Sequence, residues 1–349
     1  MNQPLEKMRQ LLREAQDRGA SDLHLSAGAP PVLRIDGQLT PVDGFGATLT
    51  QGECAAMIVP LLGELQQRFE AEGEADLAWE TDGLRFRLNI FRRQGGISLA
   101  ARTITDEVPT LESLGLQPAM REWAERRQGL LLVTGPTGSG KSSTLAALIG
   151  HLNRTGSRHI VTLEDPIEFL HAHGRSVVDQ REVGRDTASF ASGLRAALRQ
   201  APDVILVGEM RDPETMAAAL TAAETGHLVL SSLHTADAPQ TVDRIIDAFP
   251  AERQAQIRSQ LASLLIAVHS QRLLRKAGGK GRVLAAEIMV NTSAVANLIR
   301  TEKVHQLRSV MQTGSQQGMM TLEGSLRELL QRGLVDAVDA MSYLKERGE

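Results

Sequence analysis

Apolar side chains recur at helical spacing at Leu5, Met8, Leu12 and Ala15, so residues 4–18 predict an amphipathic helix ending near Gly19. The pattern then alternates. Ser21–Leu25 and Pro31–Leu39 read as strands, and Asp36-Gly37 between apolar residues signals a hairpin. A helix is expected over roughly 50–70, followed by two alternating strands in Leu84–Ile104 around a Gly95-Gly96 turn. This block predicts an antiparallel α+β unit. Residues 105–118 are polar with two prolines, Pro109 and Pro118, and form the expected linker; their apolar residues imply that it packs somewhere. Beyond it the pattern changes. Short apolar runs at 129–135, 159–165, 203–209 and 227–234 alternate with helical stretches. Strands buried on both faces and separated by helices imply a parallel sheet. From about 251 onward the periodicity reads as helical, broken by a glycine-rich turn at 277–281.

Length sharpens this into two domains, expected over 1–104 and 119–349, because 349 residues exceed one ordinary domain. A hydrophobic content of 42% supports a sizeable core. The net charge of −4 argues against a dedicated nucleic-acid coat or a polybasic membrane anchor. At 3%, aromatic residues are too few for base-stacking platforms. A single cysteine, Cys54, excludes internal disulfides and multi-cysteine zinc sites, and its apolar surroundings suit a small core residue. The N-terminus has no signal-peptide core, and the apolar run around Leu261–Val268 is too short to span a bilayer. The expectation is a soluble cytoplasmic protein without direct membrane insertion.

The chemistry begins at Gly135-Pro136-Thr137-Gly138-Ser139-Gly140-Lys141-Ser142-Ser143, which satisfies G-x-x-x-x-G-K-[ST] between an apolar strand and a helix. Its glycines let backbone N–H groups turn inward around phosphate, and the helix adds its positive end. Lys141 would neutralise nucleotide phosphates, and the Ser142 hydroxyl would ligate Mg²⁺. The run Asp203–Glu209 would supply an acid. Gly208 stands where an aspartate is usual and Asp203 is at the far end of the strand, so the Mg²⁺ and water role falls to Glu209. Asp212 reads as a helix N-cap ahead of Pro213. Glu164, Asp165 and Glu168 end another strand, where ligands of open parallel sheets bind. His227 and His234 flank a fourth strand, at its opposite ends, and neither has a partner at metal-ligand spacing.

Together GPTGSGKSS, TLEDPIEF, ILVGEMRD and TAAETGHLVLSSLHT resemble the Walker A, Asp box, Walker B and His box of secretion-superfamily ATPases, most nearly the PilT-type pilus retraction ATPases. The resemblance extends to SDLHLSAGAPPVLRIDG and RFRLNIF in the first domain, QREVGRDTASFASGLRAALRQAPDVILVGEMRD in the middle and AVANLIRTEKVHQLRSVMQTG near the end. It implies a PAS-like N-terminal domain, a RecA-like P-loop ATPase domain with a helical C-terminal part, and a homohexameric ring using ATP and Mg²⁺. It makes Glu168 the general-base candidate with Glu164 assisting, Glu209 the Walker B acid, and His227 and His234 the His-box pair. It also matches Arg85, Arg87 and Arg102 to arginines that reach nucleotide phosphates, and residues 105–118 to a hinge. The expected partners are an inner-membrane pilus platform protein, met from its cytoplasmic side, and a paralogous retraction ATPase. Ser231-Ser232 depart from the family's usual glycine and threonine, and the segment Asn297–Lys303 departs locally from its C-terminal motif. The alternatives are an assembly or type II secretion ATPase, against which the single cysteine argues, a type IV secretion ATPase, and a regulatory subunit with weak hydrolysis.

Overall fold

A computed structural model describes residues 3–35, 37–45, 48–104, 107–279 and 281–345, except the side chains of the last two. Asp36 of the expected first hairpin, residues 105 and 106 of the expected linker and Lys280 of the glycine-rich turn lie outside the described residues. The chain divides into two compact units, Met1–Glu107 and Val108–Glu349.

The first unit comprises α1 (Gln3–Asp17), β1 (Asp22–Leu25), β2 (Val32–Ile35), β3 (Gln38–Pro41), α2 (Gln51–Leu62), α3 (Gln66–Glu72), β4 (Glu74–Thr81), β5 (Leu84–Arg93) and β6 (Gly96–Ile104). Its strands form one sheet in the order β3-β2-β1-β6-β5-β4, with every pair antiparallel. Leu23, Leu25, Phe86, Leu88, Ile90, Leu99 and Ala101 join Met8, Leu11 and Leu12 of α1 and Ile58 of α2 in one core. Cys54 is buried there, and burial pushes its thiol above the usual range, away from nucleophilic use. Strand β4 was not anticipated, although Asp82-Gly83, both at positive φ, supplies the two-residue hairpin turn that joins it to β5. The next hairpin turns on Gln94-Gly95 rather than Gly95-Gly96, since Gly96 already pairs with Arg93.

The second unit comprises α4 (Ala119–Ala124), β7 (Gly129–Thr134), α5 (Lys141–Thr155), β8 (His159–Glu164), β9 (Val177–Glu182), α6 (Phe190–Ala197), β10 (Val204–Val207), α7 (Pro213–Glu224) and β11 (Leu228–Leu233). There follow α8 (Ala238–Asp247), α9 (Ala251–Leu264), β12 (Leu265–Arg275), β13 (Arg282–Val290), α10 (Ser293–Arg300), α11 (Leu307–Thr313), α12 (Leu322–Gln331) and α13 (Ala337–Lys345). The sheet order is β13-β12-β7-β11-β10-β8-β9, parallel except for the β12–β13 pair. Every residue of β7, β10 and β11 is buried, as strands covered on both faces must be. Leu111 and Leu116, from the segment read as linker, pack in this unit's core.

The helical reading beyond 251 needs correction. Residues 265–275 and 282–290 form an antiparallel hairpin, and β12 lies parallel against the phosphate-loop strand β7. Leu265–Gln271 are buried without a break, which leaves no alternation for a sequence reading to detect.

Candidate functional site

Strand β7 ends at Thr134, and the phosphate loop, 135–140, runs directly into α5, whose first residue is Lys141. Gly135, Gly138 and Gly140 all adopt positive φ. At Gly135 the requirement is absolute: a Cβ there would lie 2.5 Å from the Gln271 carbonyl and 2.6 Å from Ser139 Oγ. The loop therefore closes tightly, with the positive end of the fifteen-residue helix α5 at its mouth.

Lys141 is buried, and its Nζ donates to the Gly135 and Pro136 carbonyls, each at 3.0 Å. Burial lowers its proton affinity, while the nearby Glu209 and Glu168 raise it. Its surroundings thus identify the acids that share the site, and both are residues expected there.

Glu209 follows β10. Its Oε1 lies 2.5 Å from Arg211 Nη2, and its Oε2 lies 3.4 Å from His234 Nε2. That second oxygen is buried, and the long contact to His234 falls short of a well-formed hydrogen bond. The serines that depart from the family pattern hold this carboxylate's backbone: Ser231 Oγ donates to the Val207 carbonyl at 2.7 Å and Ser232 Oγ to the Gly208 carbonyl at 2.6 Å. At Gly208 space is tight, since a Cβ would meet the Leu163 carbonyl at 3.2 Å.

Glu164 ends β8. Its Oε1 accepts from Thr162 Oγ1 at 2.6 Å and from Gln180 Nε2 at 3.0 Å. Burial nevertheless raises its carboxyl above the usual range, and the neighbouring Glu168 adds to this. Glu168 is half-buried, within electrostatic reach of both Lys141 and Glu164. Asp165 is exposed.

His234 is held below the usual imidazole range by burial first and by Lys141 second, which keeps the ring neutral beside Glu209. His227 is not brought into this group. It precedes β11, seven residues and about 20 Å of strand from His234. Its Nδ1 lies 2.9 Å from the Ala222 carbonyl and 3.2 Å from Thr225 Oγ1. Asp203 is likewise at the far end, accepting from the His159 N–H at 2.8 Å, and Asp212 caps α7 by accepting from the Thr215 N–H at 2.8 Å.

Arg85, Arg87 and Arg102 stand in the first unit, on the face of its sheet opposite the helices. Arg87 and Arg102 are cross-strand partners, and Asp22 pairs with Arg102 on the other side. Arg102 Nε lies 3.0 Å from Asp22 Oδ1, and Arg87 Nε 3.7 Å from Asp76 Oδ1.

The family described as "Type II/IV secretion system protein" matches residues 2–279. The chain is 48% identical over 338 residues to the type IV pilus retraction ATPase PilT of Pseudomonas aeruginosa, covering 96% of this chain and 97% of that protein. The chain belongs to the type II/IV secretion system protein family, in its PilT-type branch of pilus retraction ATPases. It is also 44% identical to a twitching motility protein of Neisseria gonorrhoeae, over 93% of this chain and 87% of that one. A crystal structure of the pilus retraction motor PilT with bound ADP superposes with a TM-score of 0.86 at 46% identity, covering 95% of this chain and 94% of that one. The PilT-type fold is therefore shared across both units, as the sequence motifs imply.

Sequence reasoning missed the residues that hold this PilT-type site in shape. Gln180 lies on the unanticipated β9, Gln271 and Arg272 on β12, and Thr162 inside β8. Thr162 opens the TLEDPIEF motif and Gln180 the QREVGRD stretch of the resemblance, but neither was singled out, and only β8 was expected as a strand.

Proposed function

We propose that this chain is a Mg²⁺-dependent ATPase motor that hydrolyses ATP to ADP and phosphate and drives type IV pilus retraction. The observation that supports it best is the convergence of Lys141, Glu209, Glu168 and His234 beside the phosphate loop of a PilT-type chain.

The residues fit Mg²⁺. Glu209 Oε2 is a buried oxygen with no well-formed hydrogen bond, and Ser142 stands in the first turn of α5 beside Lys141. Among the described residues no group of three or more acidic, histidine or cysteine side chains could cage a metal. A magnesium site of one carboxylate and one hydroxyl completed by phosphate oxygens suits that ion, which keeps much of its water. The ion supplies charge neutralisation at the phosphates when bound.

Lys141, carried at the start of α5, releases its hold on the Gly135 and Pro136 carbonyls to meet phosphate oxygens. Glu168 takes the proton from the attacking water, and Glu164, fixed by Thr162 and Gln180, orients it. Neutral His234 lies beside Glu209, where it can report whether the terminal phosphate is present. Arg85, Arg87 and Arg102 supply fixed positive charge to the spreading phosphoryl charge. The working form is a homohexamer at the cytoplasmic face of the inner membrane, acting on a membrane platform protein with or without a paralogous ATPase. No helix among the described residues is long and apolar enough to cross a membrane, which is consistent with contact through that partner.

The test is deletion in the host, with wild-type or Lys141→Ala complementation and surface pili counted by electron microscopy. Excess pili with lost motility, rescued only by the wild-type chain, is the expected result. Bald cells would make the chain an assembly motor, and unchanged pili would make it a secretion or regulatory subunit.

A further inference from the structure

The β12 strand brings a second set of groups to the phosphate loop. Gln271 is almost wholly buried, at 1% exposure, yet both ends of its amide are satisfied. Its Nε2 donates to the Ser139 carbonyl at 2.6 Å, and its Oε1 accepts from Thr144 Oγ1 at 3.0 Å. One side chain thus links the loop to the first turn of α5. The Gln271 backbone carbonyl is the group that presses on Gly135.

The same stretch of chain grips a second loop. Arg272 donates from Nη1 to the Gln271 carbonyl at 3.1 Å and from Nη2 to the Ala236 carbonyl at 3.0 Å. Ser270 Oγ also donates to the Ala236 carbonyl, at 3.1 Å. Ala236 lies two residues after His234, and the Ala238 N–H that opens α8 is fixed by buried Glu287 Oε1 at 2.9 Å. The Arg272 charge is felt at Lys141, where it opposes protonation, so it also lies in the field of the site.

A buried amide with both groups paired resists rotation, because leaving either group unpaired costs more than the bond contributes. A backbone carbonyl held by a guanidinium is likewise a strong, directional contact. Resting on the ATPase reading above, we propose that Gln271 is a positioning residue that holds the phosphate loop in its nucleotide-binding shape, and that Arg272 ties β12, at the Gln271 carbonyl, to the loop after His234. The two neighbours then divide the work. Gln271 acts on nucleotide binding through Ser139 and Thr144, and Arg272 acts on turnover through Ala236 and the loop carrying His234.

The experiment measures, in the full chain, affinity for a fluorescent ADP analogue, steady-state ATP hydrolysis and nucleotide-free melting. Gln271→Met keeps the volume and loses both bonds; it is expected to weaken ADP binding about tenfold with kcat within about twofold. Thr144→Val should give part of that loss, and the double variant should be no weaker than Gln271→Met alone, since both break one chain of bonds. Arg272→Lys keeps the charge but not the paired geometry; it should lower kcat about tenfold with ADP affinity within about twofold. Unchanged ADP affinity in Gln271→Met, additive losses in the double variant, or kcat, affinity and melting falling together in both positions would overturn the proposal and leave these residues as packing. If the wild-type chain itself binds no nucleotide, the ATPase reading falls, and the proposal with it.

Discussion

The two sheets of this chain bury polar groups very differently. Among the buried polar side chains, the first unit contributes Thr81 and Ser98, whereas the second contributes Ser139, Lys141, Thr144, Thr162, Ser231, Ser232, Gln271 and Glu287, among others. The first sheet alternates, so its polar residues face away from the core and need no protein partner. The second sheet is covered on both faces, where an unpaired polar group is costly, so most of these side chains are paired; the Thr134 and Ser139 hydroxyls and the His269 ring are exceptions. Around the phosphate loop they are linked: Gln271 pairs with the Ser139 carbonyl and the Thr144 hydroxyl, and Lys141 with the Gly135 and Pro136 carbonyls. The lesson is that charge on the first sheet acts residue by residue, while the site on the second sheet acts as a unit. Arg87 and Arg102 can be altered with little harm to the fold, whereas a change at Gln271 reaches Ser139 and Thr144 at once.

The largest expected effect tests the second unit. Glu168→Gln should lower ATP turnover on the order of 100-fold or more while leaving ADP binding intact, because only proton transfer is removed. Should Glu168→Gln turn over normally while Glu209→Gln fails, the base belongs at Glu209.

A stability measurement separates the units next. His269 is fully buried on β12 with neither ring nitrogen hydrogen-bonded, and burial lowers it from 6.5 to about 4. His171, also in the second unit, is lowered to about 4 by burial and by Arg154. A histidine depressed in the folded state binds fewer protons there than in the unfolded chain. Its stabilising effect is therefore complete above 6.5 and is lost as pH falls toward 4. For His269 the loss is on the order of 3 kcal/mol. The two tryptophans report the units separately, since Trp79 lies on β4 and Trp123 on α4. In Trp79→Phe, urea unfolding followed through Trp123 should weaken between pH 7 and 4.5, and adding His269→Leu should remove about half of that dependence, leaving the share of His171. An unaltered pH dependence after His269→Leu would show that the acid sensitivity arises elsewhere.

The smallest effect falls on the first unit. The Arg102 side chain of the Arg102–Asp22 pair is 64% exposed, so Arg102→Ala should cost under about 1 kcal/mol of stability. If this arginine serves the phosphates, turnover should still fall on the order of tenfold or more. Turnover at the wild-type level would return Arg102 to ordinary surface charge and leave hydrolysis to the second unit's residues.

Legibility followed the same division. The alternation of β1, β2, β5 and β6 is visible because one face is buried and one is not, and the phosphate loop is visible because backbone conformation demands its glycines. Strand β4 was missed although Asp82-Gly83 signals its hairpin, and its half-buried residues Leu77, Ala78 and Trp79 blur the alternation. β9 is a short edge strand with polar residues from Asp179 to Glu182, which offers no pattern. The hairpin of β12 and β13 was read as helix because a segment buried on both faces has no period. With it went Gln271 and Arg272, whose importance depends on where β12 lies.

The sequence by itself determined the two kinds of sheet, the phosphate loop, the acids at the strand ends and the PilT-type kinship, because each depends on local spacing or on a motif with its own backbone requirement. Only the tertiary structure decided which residues meet. Insertion of β12 beside β7 brings Gln271 to Ser139, although 132 positions separate them in the chain. The direction of β11 keeps His234 with Glu209 and sends His227 to the other end. Contacts of that kind are set by strand order and register, which arise from burying the whole sheet at once and leave no mark on any short stretch of chain.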